Sequence, residues 1–371
     1  MLIPLDKNPG MRPIGIGEVL RIIISTAPLQ TCPGLSRGIE ASIHAMRRMF
    51  EDEETEAVLL VDASNAFNAL NRKAALHNIR YTCPEISTFL QNIYQCDAEL
   101  FLQSSDEVIY SREGTTQGGP ESMGFYAVST TSLLKSQSDT KKVFYADDGS
   151  GASKLDKLND WWRELKIVGP PLGYDVNAGK TWLIVKPAHE ERARQLFTDI
   201  KITSDGHEFL GSFLGTREAT EQFVSNQITE WEKDINALVE IAASEPQLAY
   251  SAYIYGTSRR WQFVCRTTPG ITTAMKRLEE LIRLKLIPAI MGGRDVSDEL
   301  RSILQLPARM GGMGFLNPSH ESNWEYQNSK LVTSQIAEAI YQQKSSLEID
   351  KEAQERLKAE LRNEKEERWT M

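Results

Sequence analysis

Five consecutive apolar residues, Ala57-Val58-Leu59-Leu60-Val61, stand between Glu56 and Asp62. A run this short, apolar without alternation and bounded by charge, suits a strand buried on both faces of a sheet. It stops at Asp62, which puts a carboxylate at the C-terminal end of that strand. A second strand is predicted over Lys142–Ala146, broken by Asp147-Asp148-Gly149, whose residue types favour a hairpin turn. Helical spacing surrounds these strands. Ile39, Ile43, Met46, Met49 and Phe50 predict a helix over 39–50. Residues 72–97 read as mostly helical, and Leu155–Val168, with Trp161 and Trp162, as an amphipathic helix stopped by Gly169-Pro170-Pro171. Glu99–Gln103 and Val108–Ser111 flank Ser104-Ser105-Asp106 as a hairpin. Tyr174–Val176, Thr181–Val185 and Phe209–Leu214 read as further short strands. From Glu218 to about residue 305 the pattern is helical, Leu306–Phe315 is a Gly-rich loop, and 347–368 is an exposed helix or frayed tail. The expected class is α+β, a mixed domain followed by a helical one.

Composition excludes several alternatives. The 371 residues are 41% hydrophobic and 25% charged, an ordinary globular balance. No apolar run approaches the roughly 20 residues of a membrane-spanning helix. Asp6, Lys7 and prolines occupy the place of a signal peptide's apolar region, so an intracellular protein is expected. Cys32, Cys83, Cys96 and Cys265 form no CxxC pair and the histidines are scattered, which argues against a zinc site or a disulfide framework. The net charge of -9 rules out a basic surface overall. It does not rule out a local one: Ser251–Met310 carries ten Lys or Arg against five Asp or Glu.

Asp62 and the Asp147-Asp148 pair carry the chemistry. Either alone is an ordinary strand end or turn. If their strands are neighbours, three carboxylates converge on one point. Hard oxygen ligands suit Mg²⁺, and two such ions about 3.5–4 Å apart stabilise the attacking and leaving oxygens of phosphoryl transfer. Neighbouring strand residues face opposite ways, so Asp147 and Asp148 are not equivalent, and Asp147 is expected to be the more direct ligand. Between the two sites lies Gly114-Thr115-Thr116-Gln117-Gly118-Gly119-Pro120. Its glycines allow close approach of backbone to a nucleotide, and the Gln117 amide can hydrogen-bond one.

These residues resemble the reverse transcriptase domain of retroelements, of a non-viral retrotransposon type, in order along roughly residues 2–316. RPIGIGEVLR (12–21) resembles a fingers segment and LLVDASNAFNALNR (59–72) the first palm motif. GTTQGGP (114–120) resembles the second palm motif, and FYADDG (144–149) is similar to the YxDD hairpin that marks the family. GPPLGYDVNAGKTWLIV (169–185) looks like the fourth motif and FLGSFLG (209–215) the primer-grip region. LPARMGGMGF (306–315) resembles the segment closing the thumb.

The resemblance implies a right-hand polymerase palm: an antiparallel sheet with helices. Partial fingers lacking their upstream motifs would occupy 1–55, the palm with a finger insertion 56–216, and a helical thumb 217–316. A charged C-terminal helix or tail would occupy 317–371. It implies an RNA-directed DNA polymerase acting on an RNA template, a DNA primer and dNTP with two Mg²⁺ ions. Asp62 and Asp147 would bind both metals, with Asp148 in support. Phe67 would be the steric gate against a ribose 2′-OH. Gln117 and Gly118 would contact the incoming nucleotide, Arg12 with Lys7 its triphosphate, and Tyr145 would lie near the primer end. Lys180 would protonate the leaving pyrophosphate, and Phe209, Leu210 and Gly211 would form the primer grip. The positive stretch 251–310 would hold the template–primer backbone. The alternative is a degenerate or fragmentary copy that keeps the palm and binds nucleic acid without catalysis.

Overall fold

The apolar run lies at the centre of a five-stranded sheet. The computed structural model describes residues 2–6, 11–15, 37–101, 107–116, 119, 121–134, 139–344 and 350–370. It has mixed α and β content and divides into two units, residues 1–204 with 336–347 and residues 205–335 with 348–371. No described helix is long and apolar enough to cross a membrane.

In the first unit, β1 (Leu2–Asp6) and β2 (Met11–Gly15) pair as a hairpin, and α1 (Gly38–Glu51) precedes the apolar run, β3 (Ala57–Val61). The short α2 (Ala66–Ala69) leads to α3 (Arg72–Thr82) and α4 (Pro84–Tyr94), then to a hairpin of β4 (Ala98–Phe101) and β5 (Val108–Ser111). Next come α5 (Ser122–Ser129), α6 (Thr131–Leu134), and the strands β6 (Lys141–Tyr145) and β7 (Asp148–Ser153). The unit continues through α7 (Leu155–Val168), β8 (Trp182–Val185), α8 (Glu190–Leu196) and β9 (Lys201–Thr203). The sheet order is β6-β7-β3-β8-β9, antiparallel except between β8 and β9.

Ala57, Val58 and Leu59 are fully buried, as a central strand covered on both faces requires. Trp161, Trp162 and Leu165 of α7 join Leu59, Val61, Ile79 and Phe125 in one apolar core. Helix α1 packs on β6 and β7.

Three sequence expectations are corrected locally. The predicted helical stretch 72–97 is two helices, because Pro84 cannot continue α3 and instead starts α4. The hairpin expected to turn at Asp147-Asp148-Gly149 turns at Ala146-Asp147, with Tyr145 paired to Asp148. Gly149 lies inside β7, where the Phe144 ring and the Tyr174 hydroxyl would each be 3.0 Å from a Cβ. The glycine therefore answers to packing, and Ala146 takes the left-handed conformation instead (φ 58°). Finally, Phe209–Leu214 is a hairpin rather than one strand, with Leu210 and Gly211 both at positive φ in its two-residue loop.

The edge strand β6 is covered by chain that returns from far along the sequence. The Lys142 N–H donates to Gln343 Oε1 (2.8 Å) and Gln343 Nε2 donates to the Lys142 carbonyl (3.1 Å), so one side-chain amide mimics a strand partner. Beside it, the Tyr341 ring lies 3.8 Å from both the Arg48 guanidinium and the Lys141 ammonium. Its hydroxyl donates to Asp52 (2.9 Å), which also pairs with Lys141 (3.0 Å).

The second unit opens with the hairpin of β10 (Gly206–Phe209) and β11 (Ser212–Gly215), then α9 (Arg217–Ala242) and α10 (Pro246–Ala252). It continues with α11 (Ser258–Thr267), α12 (Thr272–Leu281), α13 (Ile287–Ile290), α14 (Asp298–Leu304), α15 (Pro318–Tyr341, whose residues from 336 on are counted with the first unit) and α16 (Lys351–Thr370). Val224, Ile228, Trp231, Ile235 and Leu238 form one stripe along α9 and pack on Tyr253, Trp261, Met275 and Leu278. Arg301 is buried and grips Glu279 through two hydrogen bonds of 2.6 and 2.7 Å.

Candidate active site

The β3–β7 pairing sets Val61 opposite Gly149. One further step along that antiparallel register puts Asp62 beside Asp148, while Asp147 sits in the adjoining turn. The three acidic residues thus lie at one end of the sheet. Asp62 and Asp147 are half-buried, and Asp148 remains open to solvent on one side. The protein packed around Asp148, reinforced by the charges of Asp147 and Asp62, pushes its carboxyl up to about 6.

Two phenols lie beneath this acid cluster. Tyr174 is buried and its hydroxyl donates to the Asp147 carbonyl (3.0 Å), tying down the turn. Burial first, then the three carboxylates, drive the Tyr174 ionisation far upward, so it acts as a neutral donor. The Tyr126 hydroxyl is buried without a hydrogen-bond partner among the described residues. Burial, Tyr174 and the charges of Asp147 and Asp148 raise it well above the usual phenol range. The end of β3 is anchored by backbone: Asp62 N–H reaches Thr181 Oγ1 (3.3 Å), and Asn177 N–H donates to the Asp62 carbonyl (2.8 Å).

Phe67, on α2, is half-buried and stacks on Tyr126, with ring centroids 4.4 Å apart. Its carbonyl accepts from Thr115 N–H (2.7 Å), and Gly114 N–H donates to the Leu70 carbonyl (2.8 Å). Gly114 has φ 78°, and a Cβ there would lie 2.5 Å from the Asn68 carbonyl oxygen, so only glycine fits against α2.

Arg72 holds the same loop from below. Its guanidinium donates to the carbonyls of Gly114 (3.1 Å), Ser111 (2.9 Å) and Glu113 (3.0 Å). The Tyr94 hydroxyl donates to Glu121 (3.1 Å) and accepts from Thr116 N–H (3.4 Å). Ser122 Oγ donates to the Thr116 carbonyl. Glu121, the acid that follows the glycine loop, is thereby buried and held by Tyr94. Sequence reading singled out neither Arg72 nor Tyr94 nor Tyr174 as a positioning residue. Arg72 closes the stretch that begins at Leu59, but nothing local says that it reaches residues about forty positions on.

The other expected site residues are placed as follows. Tyr145 ends β6, half-buried, opposite Asp148. Lys180 is exposed in the loop before Thr181. The backbone of Arg12 lies on β2 opposite Leu5. Lys7, Gln117 and Gly118 fall outside the described residues. Phe209, Leu210 and Gly211 belong to the second unit, at the β10–β11 turn, and Phe209 is buried.

Among the described residues, no three His, Cys, Asp or Glu side chains are grouped so that they could hold one metal ion. The donor chemistry of Asp62, Asp147 and Asp148 nevertheless suits a hard divalent cation, which would relieve their mutual repulsion.

No family model and no curated protein matches the sequence. Among solved structures, telomerase from Candida albicans, in complex with the TWJ fragment of telomeric RNA, is similar with a TM-score of 0.39 and 13% identity. That similarity covers 96% of this chain and 65% of the telomerase chain. A likeness this remote adds no weight to any reading of the site.

Proposed function

We propose that the chain is a template-directed nucleotidyltransferase, an RNA-directed DNA polymerase of the kind found in non-viral retrotransposons. The observation that carries the reading is the pairing of β3 with β7, which brings the strand end carrying Asp62 beside the Asp147-Asp148 turn, where burial first and then the charges of Asp147 and Asp62 raise the Asp148 carboxyl. Asp62 and Asp147, with Asp148 in support, would hold Mg²⁺, which would supply positive charge to offset phosphate oxygens as a nucleotide is transferred to a primer 3′-hydroxyl. The chain's own residues do the positioning. Tyr174 fixes the turn that aims Asp147. Phe67, braced on Tyr126, forms the wall that excludes a ribose 2′-OH and so favours dNTP. Arg72 and Tyr94 hold the loop that leads to Gln117 and Gly118, the contacts for the incoming nucleotide.

Arg12 and Lys7 take the triphosphate, Tyr145 lies near the primer end, and Lys180 gives a proton to the leaving pyrophosphate. Phe209, Leu210 and Gly211 grip the primer. The cationic stretch 251–310 acts as a thumb on the template–primer backbone. In this reading residues 1–55 are fingers, 56–216 palm and 217–316 thumb.

Extension of oligo(dT) on poly(rA) with dTTP and Mg²⁺ tests the proposal. The wild-type protein extends the primer, and Asp147→Asn lowers the rate by several orders of magnitude. Equal incorporation by both refutes it. Phe67→Ala raises ribonucleotide use relative to dNTP, and an unchanged ratio removes Phe67 from the gate. The lack of a closed ligand group among the described residues favours a second reading, a palm that binds nucleic acid without turnover. Tight template–primer binding with no extension by the wild type selects it.

A further inference from the structure

We propose that a cationic cleft bordered by α3, α4 and the residues flanking the β4–β5 hairpin binds the phosphates of single-stranded nucleic acid. The inference goes beyond the polymerase reading and does not rest on it, because the cleft contains none of the three site aspartates. The cleft encloses about 270 Å³, with Arg72 and Tyr94 among its lining residues. Lys73, His77 and Arg80 also line it, at a spacing that puts them on one face of α3, together with Arg112 just past β5. The one acid among the lining residues is Asp97, and Arg112 engages it at 3.2 Å.

The positive charge is therefore in excess, in a protein whose net charge is -9. Lys73 makes no ion pair among the described residues. Arg80 gives one hydrogen bond to Gln91 (3.1 Å) and has further donors to offer. The Arg72 guanidinium bonds only carbonyl and hydroxyl oxygens, while the Glu113 carboxylate accepts from the Arg72 backbone N–H (2.8 Å). Forked guanidinium donors match phosphate oxygens, and a lysine adds a point charge.

An aromatic pair adjoins these cations. The His77 ring lies 5.3 Å from that of Tyr81, which is 77% exposed. An exposed ring beside a phosphate-binding groove offers a stacking surface for a base, the combination that single-strand binders use. A run of carboxylates on an acidic peptide would use the cations and leave the rings idle.

The test is fluorescence anisotropy of a labelled oligo(dT) with the full chain across a salt series. Lys73→Glu with Arg80→Glu weakens binding by at least about tenfold. It also flattens the slope of log affinity against log salt by about 1.4, since each lost contact to a single strand accounts for about 0.7. Tyr81→Ala weakens binding several-fold and leaves the slope unchanged. Unchanged affinity and slope in the double reversal overturns the proposal, as does a polyglutamate peptide that competes as well as unlabelled oligo(dT). So does inorganic tripolyphosphate binding that depends on Lys73 and Arg80 when oligo(dT) binding does not, because the ligand is then a free polyphosphate. If the double reversal fails to fold, amide exchange on the wild type decides: protection over 72–82 on adding oligo(dT) supports the cleft, and none refutes it.

Discussion

Arg72 in the first unit and Arg301 in the second are both 5% exposed, yet they are used in opposite ways. Arg301 closes two hydrogen bonds on the Glu279 carboxylate and a third on the Phe315 carbonyl (2.6 Å), so its charge is cancelled where it sits. Arg72 is held by carbonyl dipoles and a serine hydroxyl and keeps its charge, since a guanidinium does not deprotonate in a protein. Burial lowers its proton affinity, and the nearby Tyr94, Glu113 and Asp97 restore only part of it. The same side chain is tied to a carboxylate in one unit and to carbonyl and hydroxyl dipoles in the other.

The contrast predicts unequal losses. Glu279→Leu strands the Arg301 charge and lowers unfolding free energy by about 3–5 kcal/mol in urea titration; adding Arg301→Met restores most of it. A loss under about 1 kcal/mol would mean that the pair is not closed. Arg72→Met leaves carbonyls without donors and lowers stability by about 1–3 kcal/mol. It also speeds amide exchange at Gly114 and Thr115, a local effect that Arg301→Met does not produce.

The acid cluster is the same contrast with the sign reversed, and its effect is the smallest. The Asp148 carboxyl keeps its proton up to about 6 in the folded chain, against an ordinary value of 3.8. Ionising it therefore opposes folding, fully above about pH 6 and not at all below the ordinary value. With chelator present, Asp148→Asn raises the thermal midpoint at neutral pH, and the gain fades as pH falls toward 4. A gain that persists in acid would show that charge is not its source.

What could be read from the sequence follows from the range of each signal. β3 was legible because an apolar run without alternation has one comfortable place, and the helical pattern from Glu218 onward because α9 buries one residue in every three or four. The two acid-bearing strand ends were legible, and the register of β3 on β7 sets those ends side by side. The turn was misplaced by one residue because Gly149 signals a turn but serves the Phe144 and Tyr174 rings. The loop at Leu210-Gly211 escaped notice because leucine rarely adopts positive φ. Arg72 and Tyr94 were missed because their partners lie 22 to 42 residues away, where no periodicity reaches.

The amide pairing between Lys142 and Gln343 spans 201 residues of chain. At roughly 5–20 residues per second of translation, a ribosome needs about 10–40 s to deliver the glutamine after the strand has emerged. For that interval the strand's outer N–H and C=O groups are open to any extended neighbour, a nascent copy of the same chain included. A recombinant fragment stopped before residue 336 would keep that opening permanently, and clumping during expression would be its first symptom.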